Sequence, residues 1–174
     1  SGQIDVTHQL TEHELKAGFS YRQYKIRNYA IGGLQSLLAS LLSNPDAARN
    51  AGPDRDLLWR ANGIPSNYGY DLYGKEYDGG GLDRAREPKF ISAYIQDKFE
   101  VNDLVINAGL RFDSFDMDQY RFKDPSRPPY DQANFTLFES GTEKVAAFKT
   151  VSPRLGFSFP VTDRTVFHVQ YGKF

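Results

Sequence analysis

An alternating segment, a very short polar hinge and a second alternating segment occur in that order three times along this chain of 174 residues. The hinges are Leu10-Thr11-Glu12, Val101-Asn102-Asp103 and Val161-Thr162-Asp163. Side chains in a strand point to opposite faces with a period of two. After the first hinge, Leu15, Ala17, Phe19 and Tyr21 oppose Glu14, Lys16, Gly18, Ser20 and Arg22. After the second, Leu104, Ile106, Ala108, Leu110 and Phe112 oppose Asn107, Gly109, Arg111 and Asp113. Before the third, Val151, Leu155, Phe157, Phe159 and Val161 oppose Ser152, Arg154, Gly156 and Ser158. After it, Phe167, Val169 and Tyr171 oppose His168, Gln170 and Gly172. Every strand is two-faced.

Alternation is common to soluble sandwiches and membrane barrels, so the connections have to decide. Two excursions, of roughly 60 and roughly 35 residues, far exceed the usual loop length. Short turns therefore gather at one end of the strands and long loops at the other, as in an outer-membrane β-barrel. The expected fold class is all-β: an antiparallel transmembrane β-barrel segment of about six strands. The whole chain, 1–174, reads as part of one barrel domain, with long extracellular loops at 25–89 and 116–150. Aromatics near strand ends (Tyr21 and Tyr24, Phe112 and Phe115, Phe99 and Phe159) read as interfacial girdles; an ordinary β core is the other reading.

Within the first loop, Leu34, Leu37, Leu38, Leu41 and Leu42 recur at helical spacing, and Asn44-Pro45 supplies a stop. A short amphipathic helix is expected, packing the loop against itself or the rim rather than binding a partner. Prolines at Pro125, Pro128 and Pro129 argue against regular structure in the second loop. Asp97 shares the parity of Ile91, Ala93, Ile95, Phe99 and Val101. That leaves two positions for it, at the membrane interface or turned inward by a bulge.

Bulk composition excludes little but is consistent. A net charge of -1 argues against a nucleic-acid footprint. No apolar run reaches the length of a transmembrane helix, which leaves barrel strands untouched. With no Cys there is neither a disulfide framework nor a thiolate metal site. The start at Ser1-Gly2-Gln3 reads as a processed product or a piece of something longer. Closed membrane barrels need about eight strands or more, since an open edge in lipid leaves backbone groups unpaired. Six strands therefore imply an internal segment of a larger barrel.

The residues then resemble a family. Phe90-Ile91-Ser92-Ala93-Tyr94-Ile95-Gln96-Asp97-Lys98-Phe99 resembles the Tyr-x-Gln-Asp strand of TonB-dependent outer-membrane receptors. Asn107-Ala108-Gly109-Leu110-Arg111-Phe112-Asp113 is similar to the strand that follows it, and Val151-Ser152-Pro153-Arg154-Leu155-Gly156 to the Ser-Pro-Arg strand of the same barrels. Thr162-Asp163-Arg164-Thr165-Val166 resembles the turn after that strand, and His13 to Tyr24 an earlier hairpin. The resemblance implies a barrel of about 22 strands, plugged by a domain this chain does not carry. It further implies import of a bulky nutrient (siderophore, cobalamin, glycan or peptide) across the cell outer membrane. The implied partners are outer-membrane lipid, an unidentified imported ligand and the inner-membrane TonB complex, the last through regions absent here.

Candidate lumen-facing groups are Lys16, Arg22, Arg111, Asp113 and Arg154, able to orient a polar cargo or to pair with neighbouring strands. Tyr68, Tyr70, Tyr73 and Tyr77 form a candidate ligand-contacting loop surface, or pack the loop. Asp78 and Asp83 flank a glycine cluster without the spacing of a calcium loop, so no metal is expected. His8, His13 and His168 lie in separate strand contexts, and no nucleophile elbow, phosphate loop or zinc spacing occurs. An enzyme and a cofactor are not expected. The alternatives are a barrel-anchored surface or adhesion protein without energised transport, and a soluble β-rich binding domain.

Overall fold

The computed structural model describes residues 1–173; Phe174, the expected end of the last strand, lies outside the described residues. In chain order the elements are β1 (Gly2–Gln9), β2 (His13–Gln23), β3 (Asn28–Ile31), α1 (Leu34–Ser43), α2 (Pro45–Arg49), α3 (Pro53–Gly63) and β4 (Pro65–Tyr68). They continue with β5 (Lys89–Val101), β6 (Leu104–Asp116), β7 (Tyr120–Phe122), β8 (Tyr130–Asp131) and β9 (Thr136–Leu137). A 3₁₀ turn (Glu139–Gly141), β10 (Thr142–Lys144), β11 (Phe148–Thr162) and β12 (Thr165–Gly172) complete the chain. The described residues divide into two compact units: 1–23 with 89–116 and 146–173, and 24–88 with 117–145.

The first unit is a six-stranded antiparallel sheet in the order β1-β2-β5-β6-β11-β12. Its three hairpins are the three hinges, with Asn102 in the second at φ 50, a conformation that asparagine tolerates. The third hairpin shifts register between Pro160 and Thr162, so its strands run on and its hinge shrinks to Asp163-Arg164. Register turns the period-two pattern of each strand into continuous rows. Ile4, Phe19, Ala93, Phe112 and Val151 form one apolar row across five strands, and Val6, Ala17, Ile95 and Leu110 lie along the next. A third runs through Phe99, Ile106, Phe157 and Val169. Between them, on the other face, Thr7, Lys16, Gln96, Gly109 and Arg154 align, as do Asp5, Gly18, Tyr94, Arg111 and Ser152.

The apolar face is bare. Ile4 is 68% exposed, Ile95 57%, Leu110 54% and Val151 54%. Burying one such side chain stabilises by about 1.5–3 kcal/mol, so a face of this size left in water marks a surface meant for an apolar medium. The pattern is the inverse of a soluble sheet, and no helix among the described residues is long and apolar enough to cross a membrane.

Asp97 stands on that apolar face. Its ladders are unbroken, from Lys89 to Phe99 against β2 and from Lys89 to Val101 against β6, so no bulge turns it inward. Near the hinge end of the strand it accepts a hydrogen bond from His13 Nδ1 at 2.8 Å. The girdle reading fails for Phe115: three residues from Phe112, it falls on the face of Asp113 and stacks on Phe90 at 4.2 Å.

The second unit is built on short ribbons and helices. β3 pairs with β4, and the three helices lie between them in sequence. The leucine-spaced segment is α1, whose Leu37 is 2% exposed; Leu34, Leu38 and Leu42 remain on the outside. Two further helices accompany the expected one. Both begin with Pro at the first turn, and α3 adds Asp54 and Asp56 against the helix dipole. In the second loop β7 pairs with β10 and β8 with β9. Its prolines fall outside these strands, which is why they do not prevent them.

Candidate functional site

Two places gather polar chemistry, one in each unit. On the polar face of the sheet, Arg111 forks onto Asp113: Nε to Oδ2 is 2.8 Å and Nη2 to Oδ1 is 2.8 Å. Ser92 closes the group by donating to Asp113 at 2.7 Å and accepting from Arg111 at 3.2 Å. A planar guanidinium on a carboxylate in this geometry fixes both side chains. One row away, the Tyr94 hydroxyl donates to Asp5 at 2.7 Å, crossing β2 to reach β1. It crosses at Gly18, where a Cβ would run into the Tyr94 ring. Glycine is therefore what lets the ring lie flat over the intervening strand.

Beside this network is a depression of about 510 Å³ whose wall includes Lys16, Tyr94, Arg111, Arg154, His168 and Gln170. Of the five charged groups expected on the polar face, Lys16, Arg111 and Arg154 thus meet at one concavity, and Asp113 is attached to it through Arg111. Lys16 also holds Glu14 at 2.7 Å. Arg22 stands apart, opposite Phe90 near the end of β2.

In the second unit the four tyrosines have different neighbours. Tyr68 lies under the Arg86 guanidinium at 5.6 Å, and Tyr70 meets Tyr29 edge-on at 6.0 Å. Tyr73 packs on Trp59 and Arg55 and donates to Asp56. Tyr77 stands in the wall of a concavity of about 620 Å³ formed by both loops.

The two loops are joined by a clamp with no local sequence signature. Arg84 donates Nη2 to Asp118 Oδ1 at 2.6 Å and Nη1 to Oδ2 at 2.7 Å, and the Glu87 N–H adds a bond at 2.8 Å. Asp118 is only 4% exposed. Burial pushes its carboxyl up, but the Arg84 fork and charge, the Glu87 N–H and Lys144 outweigh that and hold it well below the usual carboxylate range. Asp78 is likewise held down by Lys25, at 2.7 Å, and by Arg27. Asp83 does the reverse: crowding by protein raises its carboxyl against the pull of Arg60 and Arg86.

A six-strand antiparallel sheet with a bare apolar face, a networked polar face and long excursions at one end defines an architecture, and a family comparison decides which one. The family described as TonB dependent receptor-like, beta-barrel, matches residues 1–173. The chain belongs to that family. No curated protein and no solved structure matches it. TonB-dependent receptor barrels are transporters of the outer membrane, and alternating apolar and charged rows are the pattern expected of such a barrel's wall.

Proposed function

We propose that this chain forms part of the wall and outer loops of an outer-membrane receptor that imports a bulky nutrient in a TonB-dependent way. The observation that carries this reading is the pairing of faces: hydrogen-bonded Asp5–Tyr94 and Ser92–Arg111–Asp113 sit directly behind the exposed Ile95 and Leu110 rows. A wet lumen supports fixed charge that a lipid face does not. Lys16, Arg111 and Arg154 line the path of a polar cargo, and Arg22 lies nearer the loop end of the same face. The loops of the second unit capture the cargo first, with Tyr77 in a cavity wall and Tyr68, Tyr70 and Tyr73 stiffening the surface behind it. Energy comes from the TonB complex, acting on parts of the receptor beyond this chain. The barrel wall itself performs no bond-making chemistry.

The test compares deletion of the gene with deletion of TonB in the same strain, grown on a panel of sole iron, cobalamin, glycan and peptide sources. Import predicts a growth defect on one source that both deletions share. A receptor deletion that impairs surface attachment and leaves every growth condition untouched would instead favour an adhesion protein.

A further inference from the structure

The loop-unit concavity of about 620 Å³ is distinct from the depression on the polar face of the sheet, and its size is that of a small-molecule site. Three rings in its wall, Tyr77, Phe122 and Phe135, are 39%, 37% and 40% exposed. Interleaved with them are Arg60, Asp83, Glu139 and Arg121, the last paired with Glu143 at 2.8 Å, so donors and acceptors of both charges stand among aromatic faces. Arg86 is held between the rings of Tyr68 and Tyr120, and its Nη2 donates to the Leu82 carbonyl at 2.8 Å. Its Nη1 is buried without an acceptor among the described residues. Gly81, at φ 83, leaves the room that Glu139 occupies on the rim; a Cβ there would collide with the Glu139 carboxylate.

The mixture of groups narrows the ligand. A strongly anionic ligand would meet the carboxylates of Asp83 and Glu139. An apolar one would strip water from Arg60, Asp83 and Glu139 with nothing in return, leaving each group unsatisfied. A polyhydroxylated ring satisfies both halves of the wall: its C–H faces lie against the aromatic rings, while its hydroxyls donate to carboxylates and accept from guanidinium groups. We infer that this concavity is a saccharide site that takes a short neutral oligosaccharide. The inference rests on the receptor reading above, and names the cargo class that the loops select.

The experiment uses the intact receptor in a zwitterionic detergent, because glucoside and maltoside detergents carry the chemistry being tested. Binding is measured on an array of neutral malto-, cello-, xylo- and manno-oligosaccharides of two to four units, with oligouronates and apolar tripeptides as comparators. The expected result is binding of at least one neutral series, with Kd raised tenfold or more by Tyr77→Ala, Phe135→Ala and Asp83→Asn. Leu42→Ala, on the outer side of α1, should leave it unchanged. Heat-modifiable gel migration of each variant confirms that the barrel is folded. Absence of neutral-saccharide binding, preference for uronates or tripeptides, or binding that the three variants do not weaken would overturn the assignment. A receptor that shares its growth defect with the TonB deletion yet binds no saccharide loses this inference alone; loss of the shared defect removes the import reading itself.

Discussion

Asp118→Asn tests how the two loops are held together. Asparagine keeps the shape of the side chain and tolerates the left-handed backbone at this position, φ 54. The substitution therefore removes charge without adding strain, and one amide oxygen can still accept from the Glu87 N–H. Breaking a buried ion pair by removing one partner costs about 3–5 kcal/mol. Here the Arg84 side chain is 26% exposed against 5% for Asp118, so water compensates Arg84 in part and the cost falls to about 2–3 kcal/mol. At about 1.4 kcal/mol per tenfold, local opening should rise roughly 30- to 150-fold. Hydrogen exchange on the intact receptor reads this directly in peptides covering 82–88 and 117–123. Peptides from β5 and β6, in the other unit, should exchange as before. Loop exchange within threefold of the parent would refute the clamp.

Acid should act on the same clamp. The folded Asp118 carboxyl lies below its unfolded value, so its contribution is complete above the unfolded pKa of about 3.9 and is lost as pH falls through the folded one. Loop exchange should therefore accelerate below about pH 4 in the parent and respond less in Asp118→Asn. Gly18→Val should displace the Tyr94 ring and break its bond to Asp5, seen as faster exchange in β1 with β11 unaffected. Leu110→Arg, on the apolar face, should destabilise the folded barrel by about 2–4 kcal/mol if mid-membrane, whereas Gln96→Arg on the polar face should cost under about 0.5 kcal/mol; urea unfolding in lipid vesicles separates the two.

The six long strands were legible because a sheet between two solvents imprints alternation on every strand, and the three hinges fixed their order. For Phe115 strand-end position suggests a girdle, but parity decides: an offset of three from Phe112 reverses the face. α3 carries its own signal, Pro53 followed by Asp54 and Asp56, but lacks the leucine spacing that marks α1. On the polar face, Lys16, Arg111 and Arg154 could be assigned a side from parity alone. That Tyr94 reaches Asp5, 89 residues away, depends on cross-strand register, which no single strand encodes. The same holds for Arg84 and Asp118, separated by 34 residues and brought together by two loops.

The account depends most on which face meets lipid. Single cysteines at Ala93, Tyr94, Ile95, Gln96, Leu110 and Arg111 of the intact receptor, spin-labelled in lipid vesicles, report this through collision with oxygen, which concentrates in acyl chains, and with a water-soluble nickel chelate. This chain contributes no native Cys, and any elsewhere in the receptor is replaced by serine. The prediction is strict alternation, with labels at 93, 95 and 110 accessible to oxygen and labels at 94, 96 and 111 accessible to nickel or occluded. Nickel accessibility at 93, 95 and 110, or no alternation along β5, would contradict it.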